Sequence, residues 1–142
     1  RVEAHEEIAR HYKFTLTTLF DSNPTSKYGI IVEDDMIVSP DFFEYFEVTG
    51  GLYRIDPSVY CISTWNDNGF SGRAKDAKRL LRSDFFMGLG WMVDRVIYER
   101  ELKPHWPSRH WDHWIRADAR RKGRECVYPE ISRNYNTGSK GM

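Results

Sequence analysis

The chain has 142 residues, of which 40% are hydrophobic and 15% aromatic, enough for one folded domain with a core. Its 21 basic and 21 acidic residues cancel, which excludes the kind of global field that holds nucleic acid or an anionic membrane surface. No apolar run approaches the roughly 20 residues that cross a bilayer, and the N-terminus carries no signal-peptide pattern.

Ile8, Tyr12, Leu16, Leu19 and Phe20 recur at helical spacing and predict an amphipathic helix over residues 3–20, followed by the loop DSNPTS. Gly29 to Val32 is a short apolar run of the kind shown by a strand buried on both faces, and Glu33, Asp34 and Asp35 follow it directly. Ser39 as cap, Pro40 at the first helical position and Asp41 in the first turn predict a short helix ending near Val48, with Phe42, Phe43 and Phe46 facing the core. Strand, acidic turn and helix in that order form an α/β unit.

Residues 58–64, SVYCIST, are β-branched and bounded by Pro57 and WNDNG, which predicts a second buried strand. A polar loop, WNDNGFSGRAKDAK, follows it; LLRSDFF then reads as a short strand, and the two glycines of MGLGWMV mark places where a side chain has no room or where something approaches the backbone closely. Asp94 is placed to cap a helix of about two turns. Ser108 is placed to cap the last helix, with Trp111, Trp114 and Ile115 on one face, Arg120 to Lys122 at its C-terminal end and Gly123 as its stop. ECVYPEIS reads as extended, and no repeat or low-complexity tract is present.

In open α/β sheets ligands bind beyond the carboxyl ends of the strands, which is where Glu33, Asp34 and Asp35 fall. Carboxylate oxygens suit a hard divalent cation, and Mg²⁺ or Mn²⁺ is often held by one or two carboxylates with substrate phosphate and water. The plain alternative is a solvated acidic turn in which Asp35 helps to cap the next helix. His105, His110 and His113, with Asp112, have the residue types of a zinc site, but His110 and His113 beside three tryptophans equally describe a packed helix start. Asp112 lies in a first helical turn, where the dipole favours an ionised carboxylate, so it reads as a helix-start residue or as a base. Cys61 and Cys126 have no metal-ligand spacing, and their positions leave both a disulfide and a pair of buried thiols open.

The segments RHY, VEDDMIVSPDFFEYF, WNDNG, DFFMGLGW, WPSRHWDHWIR and CVYPEISR occur in an order and spacing that resemble the alpha-1,3-mannosyl-glycoprotein 2-beta-N-acetylglucosaminyltransferase (N-acetylglucosaminyltransferase I) family over essentially the whole chain. The resemblance implies a nucleotide-diphospho-sugar transferase fold (GT-A, Rossmann-like), a UDP-N-acetylglucosamine donor, Mn²⁺, inversion at the anomeric carbon and a mannose-terminated N-glycan acceptor. It also implies residence in the Golgi lumen, with a type II membrane anchor in the full-length protein outside this chain. By the same resemblance Asp35 is the metal ligand, Asp34 and Glu33 contact the donor, His11 contacts the uridine, Trp111 lies beside the sugar and Asp112 is the catalytic base. Cys61 and Cys126 match a disulfide pair.

His113 stands where the family has a second acid, which leaves Asp112 as the only carboxylate of that motif. The resemblance makes the chain the central and C-terminal part of one GT-A catalytic domain, residues 1–142, lacking the first strands and the C-terminal region and ending within the loop that in the family closes over the donor. A related reading is protein O-mannose beta-1,2-N-acetylglucosaminyltransferase, against which the double Asp after Glu33 counts. A reading of another class is a non-catalytic module that holds sugar on a Trp-rich surface.

Overall fold

The computed structural model describes residues 2–138; Arg1 and residues 139–142, the end of the Gly-rich tail, lie outside the described residues. In chain order the elements are α1 (Val2–Ser22), β1 (Tyr28–Ile31), β2 (Met36–Val38), α2 (Phe42–Thr49), α3 (Leu52–Ile55), β3 (Val59–Ser63), β4 (Leu80–Ser83), β5 (Trp91–Asp94), α4 (Arg95–Ile97), α5 (Trp111–Arg116), α6 (Asp118–Arg121), β6 (Glu125–Pro129) and β7 (Asn134–Asn136). A π turn, Tyr98–Leu102, and a 3₁₀ turn, Lys103–His105, continue α4. The fold is mixed α/β. No described helix is long and apolar enough to cross a membrane.

Two compact units divide the chain: the described residues up to Gly29 with Val93–Gly123, and Ile30–Met92 with the described residues from Arg124. The first unit is helical and held by aromatic rings. Tyr98 stacks on Phe20 at 5.4 Å and meets Trp106 edge-on at 6.3 Å, while Trp106 stacks on Trp111 at 6.0 Å and donates its indole N–H to the Ala9 carbonyl at 2.8 Å. The tyrosine hydroxyl needs a partner when buried, and Tyr98 finds two, Thr17 Oγ1 at 2.7 Å and the Lys13 carbonyl at 3.2 Å.

Asp94 caps α4 as its position predicts, accepting from the Val96 and Ile97 amides at 2.8 and 3.2 Å. Arg95, beside it, closes the C-terminal end of α1. Its guanidinium donates to the carbonyls of Phe20, Asn23 and Ser26, pairs with Glu99 at 2.7 Å and lies 4.6 Å from the Phe20 ring centroid. These acceptors are helix-end and loop carbonyls that have no intrahelical donor. Arg95→Met keeps much of the stem and removes every donor, and we expect it to cost about 2–3 kcal/mol, seen as a lower denaturant midpoint.

The strand order of the sheet is β1-β5-β3-β6-β4; β3, β4 and β6 lie wholly in the second unit, and β1 and β5 lie in it only in part. It is a mixed sheet: β3 runs parallel to β6 and antiparallel to β5, and β4 runs antiparallel to β6. All five residues of β3 are buried, as its apolar run predicts, because it lies inside the sheet with a strand on each side. By contrast only Gly29 of β1 is buried, since β1 is an edge strand. Cys61 and Cys126 are register partners across β3 and β6, with Cα atoms 4.5 Å apart, and are joined in a disulfide.

Several local expectations are corrected. Ser39 does not cap α2: its hydroxyl donates to Asp41 Oδ1 at 2.6 Å, residues 40–41 form a turn, and the helix begins at Phe42. That start sets the buried face to Phe42, Tyr45, Phe46 and Thr49, so Phe43 is 66% exposed where the sequence had placed it in the core. Nor is the last helix continuous from Ser108. His110 takes a left-handed conformation at the start of α5 (φ 50°, ψ 47°), and extended backbone at Ala117 (φ −61°, ψ 140°) separates α5 from α6. Lys122 and Gly123 are both left-handed at its end, so the stop is shared by two residues.

Candidate functional site

In the second unit the acidic residues occupy the turn between β1 and β2. The Met36 amide donates to the Glu33 carbonyl at 3.3 Å, closing the turn, and β2 then pairs antiparallel with β7, Met36 opposite Asn136 and Val38 opposite Asn134. Sequence reasoning missed this ribbon. Each strand has three residues, too few for an alternation to show, and they come from opposite ends of the unit's sequence.

The ribbon fixes Asp35. Thr137, just past β7, donates both its amide and its hydroxyl to the Asp35 carbonyl at 2.8 Å. Asp34 is exposed, Glu33 half-buried, and Asp35 half-buried with its Oδ1 enclosed and without a hydrogen-bond partner among the described residues. A buried carboxylate oxygen in this state is costly unless something pairs with it. A cation fits that chemistry. Among the described residues no three His, Cys, Asp or Glu side chains converge as a metal cage, so a cation here would rest on one or two carboxylates plus oxygens from a ligand. The same finding disposes of the histidine cluster as a zinc site of three or more described ligands; His110 instead meets His5, their ring centroids 4.5 Å apart.

The base of the ribbon is braced by Arg133, whose guanidinium is nearly buried. It donates to the carbonyls of Ala77 and Ile131 and lies 2.7 Å from Asp41 Oδ2. The Ser39 hydroxyl first, and then Arg133, hold the Asp41 carboxyl below the usual carboxylate range against the opposing effect of burial. Glu130, three residues earlier, organises the loop after β3. It accepts the Lys75 and Asp76 amides at 2.8 and 3.2 Å, which draw its carboxyl below the usual range, and pairs with Arg79 at 3.0 Å. Neither role was visible in the sequence, where ECVYPEIS read as an extended segment and CVYPEISR as one of the segments that carry the resemblance.

In the first unit α1 carries His11 on its exposed side and Tyr12 next to it. Tyr12 stacks on Trp111 with ring centroids 4.0 Å apart. Trp111 is only 7% exposed, since it also stacks on Trp106, so its indole is part of the core that seats α5. Asp112 follows it in the first turn of α5, its side chain 41% exposed. Arg116, one turn on, reaches Asp112 Oδ2 at 3.2 Å, and His113 Nε2 lies 3.9 Å from the same oxygen. The buried tryptophan thus fixes the helix start while the carboxylate stays accessible and faces a permanent cation. His11, Trp111 and Asp112 belong to the first unit; Glu33, Asp34 and Asp35 belong to the second.

Comparison with known proteins identifies the lineage. The sequence model of the GNT-I family matches residues 1–142. An "Alpha-1,3-mannosyl-glycoprotein 2-beta-N-acetylglucosaminyltransferase" of Arabidopsis thaliana is 46% identical over 138 residues, which are 97% of this chain and 31% of that protein. The chain therefore spans about a third of the length of that curated relative. With the match running through the acidic turn, the disulfide strands and the WDHW helix alike, the chain belongs to the GNT-I family.

Proposed function

We propose that this chain is the central and C-terminal part of a GT-A catalytic domain that transfers N-acetylglucosamine from UDP-N-acetylglucosamine to a terminal mannose of an N-linked high-mannose glycan, in β-1,2 linkage, with Mn²⁺ and with inversion. Family membership and the name of the Arabidopsis thaliana relative support the transferase class. The observation that carries the metal-dependent donor site is the Asp35 Oδ1 at the end of the acidic turn, enclosed and without a hydrogen-bond partner among the described residues.

In this reading Asp35 holds the cation and Asp34 and Glu33 contact the donor, while His11 meets the uridine and Trp111 seats the helix beside the sugar. Bound Mn²⁺ supplies the positive charge that steadies the diphosphate as it leaves. Asp112 takes the proton of the attacking acceptor hydroxyl. Because Arg116 and His113 both address Oδ2, the proton arrives at Oδ1. The acceptor oxygen bonds to the anomeric carbon as the bond to UDP breaks, in one in-line displacement through an oxocarbenium-like transition state, so the configuration inverts. The Cys61–Cys126 disulfide supports an oxidising compartment, and we place the full-length protein in the Golgi lumen as a single-pass type II membrane protein.

The test is titration calorimetry of UDP-N-acetylglucosamine on the full-length protein, with Mn²⁺ and then with EDTA. We expect Asp35→Ala to lose the Mn²⁺-dependent part of the affinity because the direct ligand is gone. Unchanged affinity in Mn²⁺ would sink the metal assignment.

A further inference from the structure

Thr137 and Gly138 meet Asp35 from the far end of the chain. While Thr137 grips the Asp35 carbonyl with two hydrogen bonds, Gly138 donates its amide to Asn136 Oδ1 at 2.7 Å, which turns the main chain back on itself. A Cβ on residue 138 would fall 2.5 Å from Asp35 Oδ2, 2.9 Å from Asn136 Oδ1 and 3.5 Å from Asp35 Cγ. A carbon cannot sit that close to either oxygen. Gly138 is not among the positive-φ glycines Gly72, Gly90 and Gly123, so its backbone makes no demand for glycine. The missing side chain makes space, and the space is filled by the Asp35 carboxylate.

We infer that Thr137 and Gly138 are a positioning pair for Asp35: Thr137 fixes its main chain, and the bare Cα of Gly138 decides where its carboxylate lies. This rests on the reading of Asp35 as the metal ligand. The other carboxylate oxygen is enclosed without a hydrogen-bond partner among the described residues, so packing is what orients the group. A methyl at 138 meets the far end of a rotatable side chain. The carboxylate can swing aside at little cost to the fold, and the cost falls on the geometry offered to the cation.

The test is Mn²⁺ affinity read through UDP binding to the full-length protein, by titration calorimetry at graded Mn²⁺ concentrations, with thermal unfolding measured on the same samples. Groups that orient a metal ligand typically contribute about 10- to 100-fold to affinity, and Gly138→Ala is expected to weaken Mn²⁺ by that order with the unfolding temperature unchanged. Thr137→Val keeps the amide bond and loses the hydroxyl, so a smaller loss is expected, with Thr137→Ser restoring the parent value. Gly51→Ala, where a Cβ would meet nothing closer than 4.0 Å, should bind as the parent does. If Gly138→Ala binds Mn²⁺ like the parent while Asp35→Ala does not, the positioning role is overturned and the proposed function stands. If Asp35→Ala itself binds like the parent, the ligand assignment falls and the positioning role with it. Loss of metal binding in Gly138→Ala only together with thermal stability would make residue 138 a purely structural glycine and overturn the inference.

Discussion

Replacing Asp112 with asparagine is expected to lower sugar transfer by about 10²–10⁴-fold, the usual contribution of a general base, while UDP-N-acetylglucosamine binds as before. The substitution keeps the size of the side chain and leaves Arg116 an amide oxygen to meet in place of Oδ2. Asparagine is tolerated at a helix start, and α5 is seated by Trp111 and Ile115, both buried, so the fold should hold. Donor affinity should not follow turnover down, because in the proposed mechanism Asp35 answers for the diphosphate. Transfer to a high-mannose acceptor, measured beside donor binding, separates the two quantities. If the asparagine variant works at nearly the parent rate, Asp112 is only a helix-start residue. His113, 78% exposed and 3.9 Å from its Oδ2, is then the first alternative.

The second large effect concerns stability. Cys61 and Cys126 are joined across a separation of 65 residues, both side chains are buried, and they couple the two parallel strands at the centre of the sheet. On the chain-entropy view, closing a loop of that length restricts the unfolded state by about 4 kcal/mol, a large share of the roughly 5–15 kcal/mol by which a domain is stable. The double variant Cys61→Ala, Cys126→Ala avoids burying new hydroxyls and should therefore lose most of that amount, with a clearly lower denaturant midpoint. A loss under about 1 kcal/mol would show that sheet packing alone holds β3 against β6. Thiol titration of the denatured, unreduced protein checks the premise and should find neither cysteine free.

Elements marked by a local pattern were readable from the sequence, the four-residue strands β1 and β4 among them, whereas the three-residue strands of the ribbon were not. The Ile8–Phe20 spacing yields α1, and the apolar run around Cys61 yields β3, because each repeats a pattern several times or is buried without a break. Asp94 was legible as a cap because its job is local: it accepts from amides two and three residues on. Ser39 failed as a cap because its hydroxyl donates to Asp41, whose other oxygen is held by Arg133, far along the chain. The acidic triplet was recognisable at once, yet what holds it was not. Thr137 and Gly138 act on Asp35 across about a hundred residues, and no local window contains both sides of that contact. The break at Ala117 is likewise silent, since WDHWIRADARRK contains no glycine or proline to mark it.

The β2–β7 ribbon also has a meaning in time. Met36 pairs with Asn136, so during synthesis the acidic turn waits for almost the whole segment to leave the ribosome before its second strand exists. Until then Glu33, Asp34 and Asp35 are only a charged bend in a growing chain. Three-residue strands form a weak ribbon by themselves, and closing so long a loop is slow, so the turn should be among the last parts to acquire its shape. A nascent chain halted short of Asn136 would present the carboxylates without their geometry, and the cation site proposed for Asp35 would be completed late, after β3 and β6 have become available to pair.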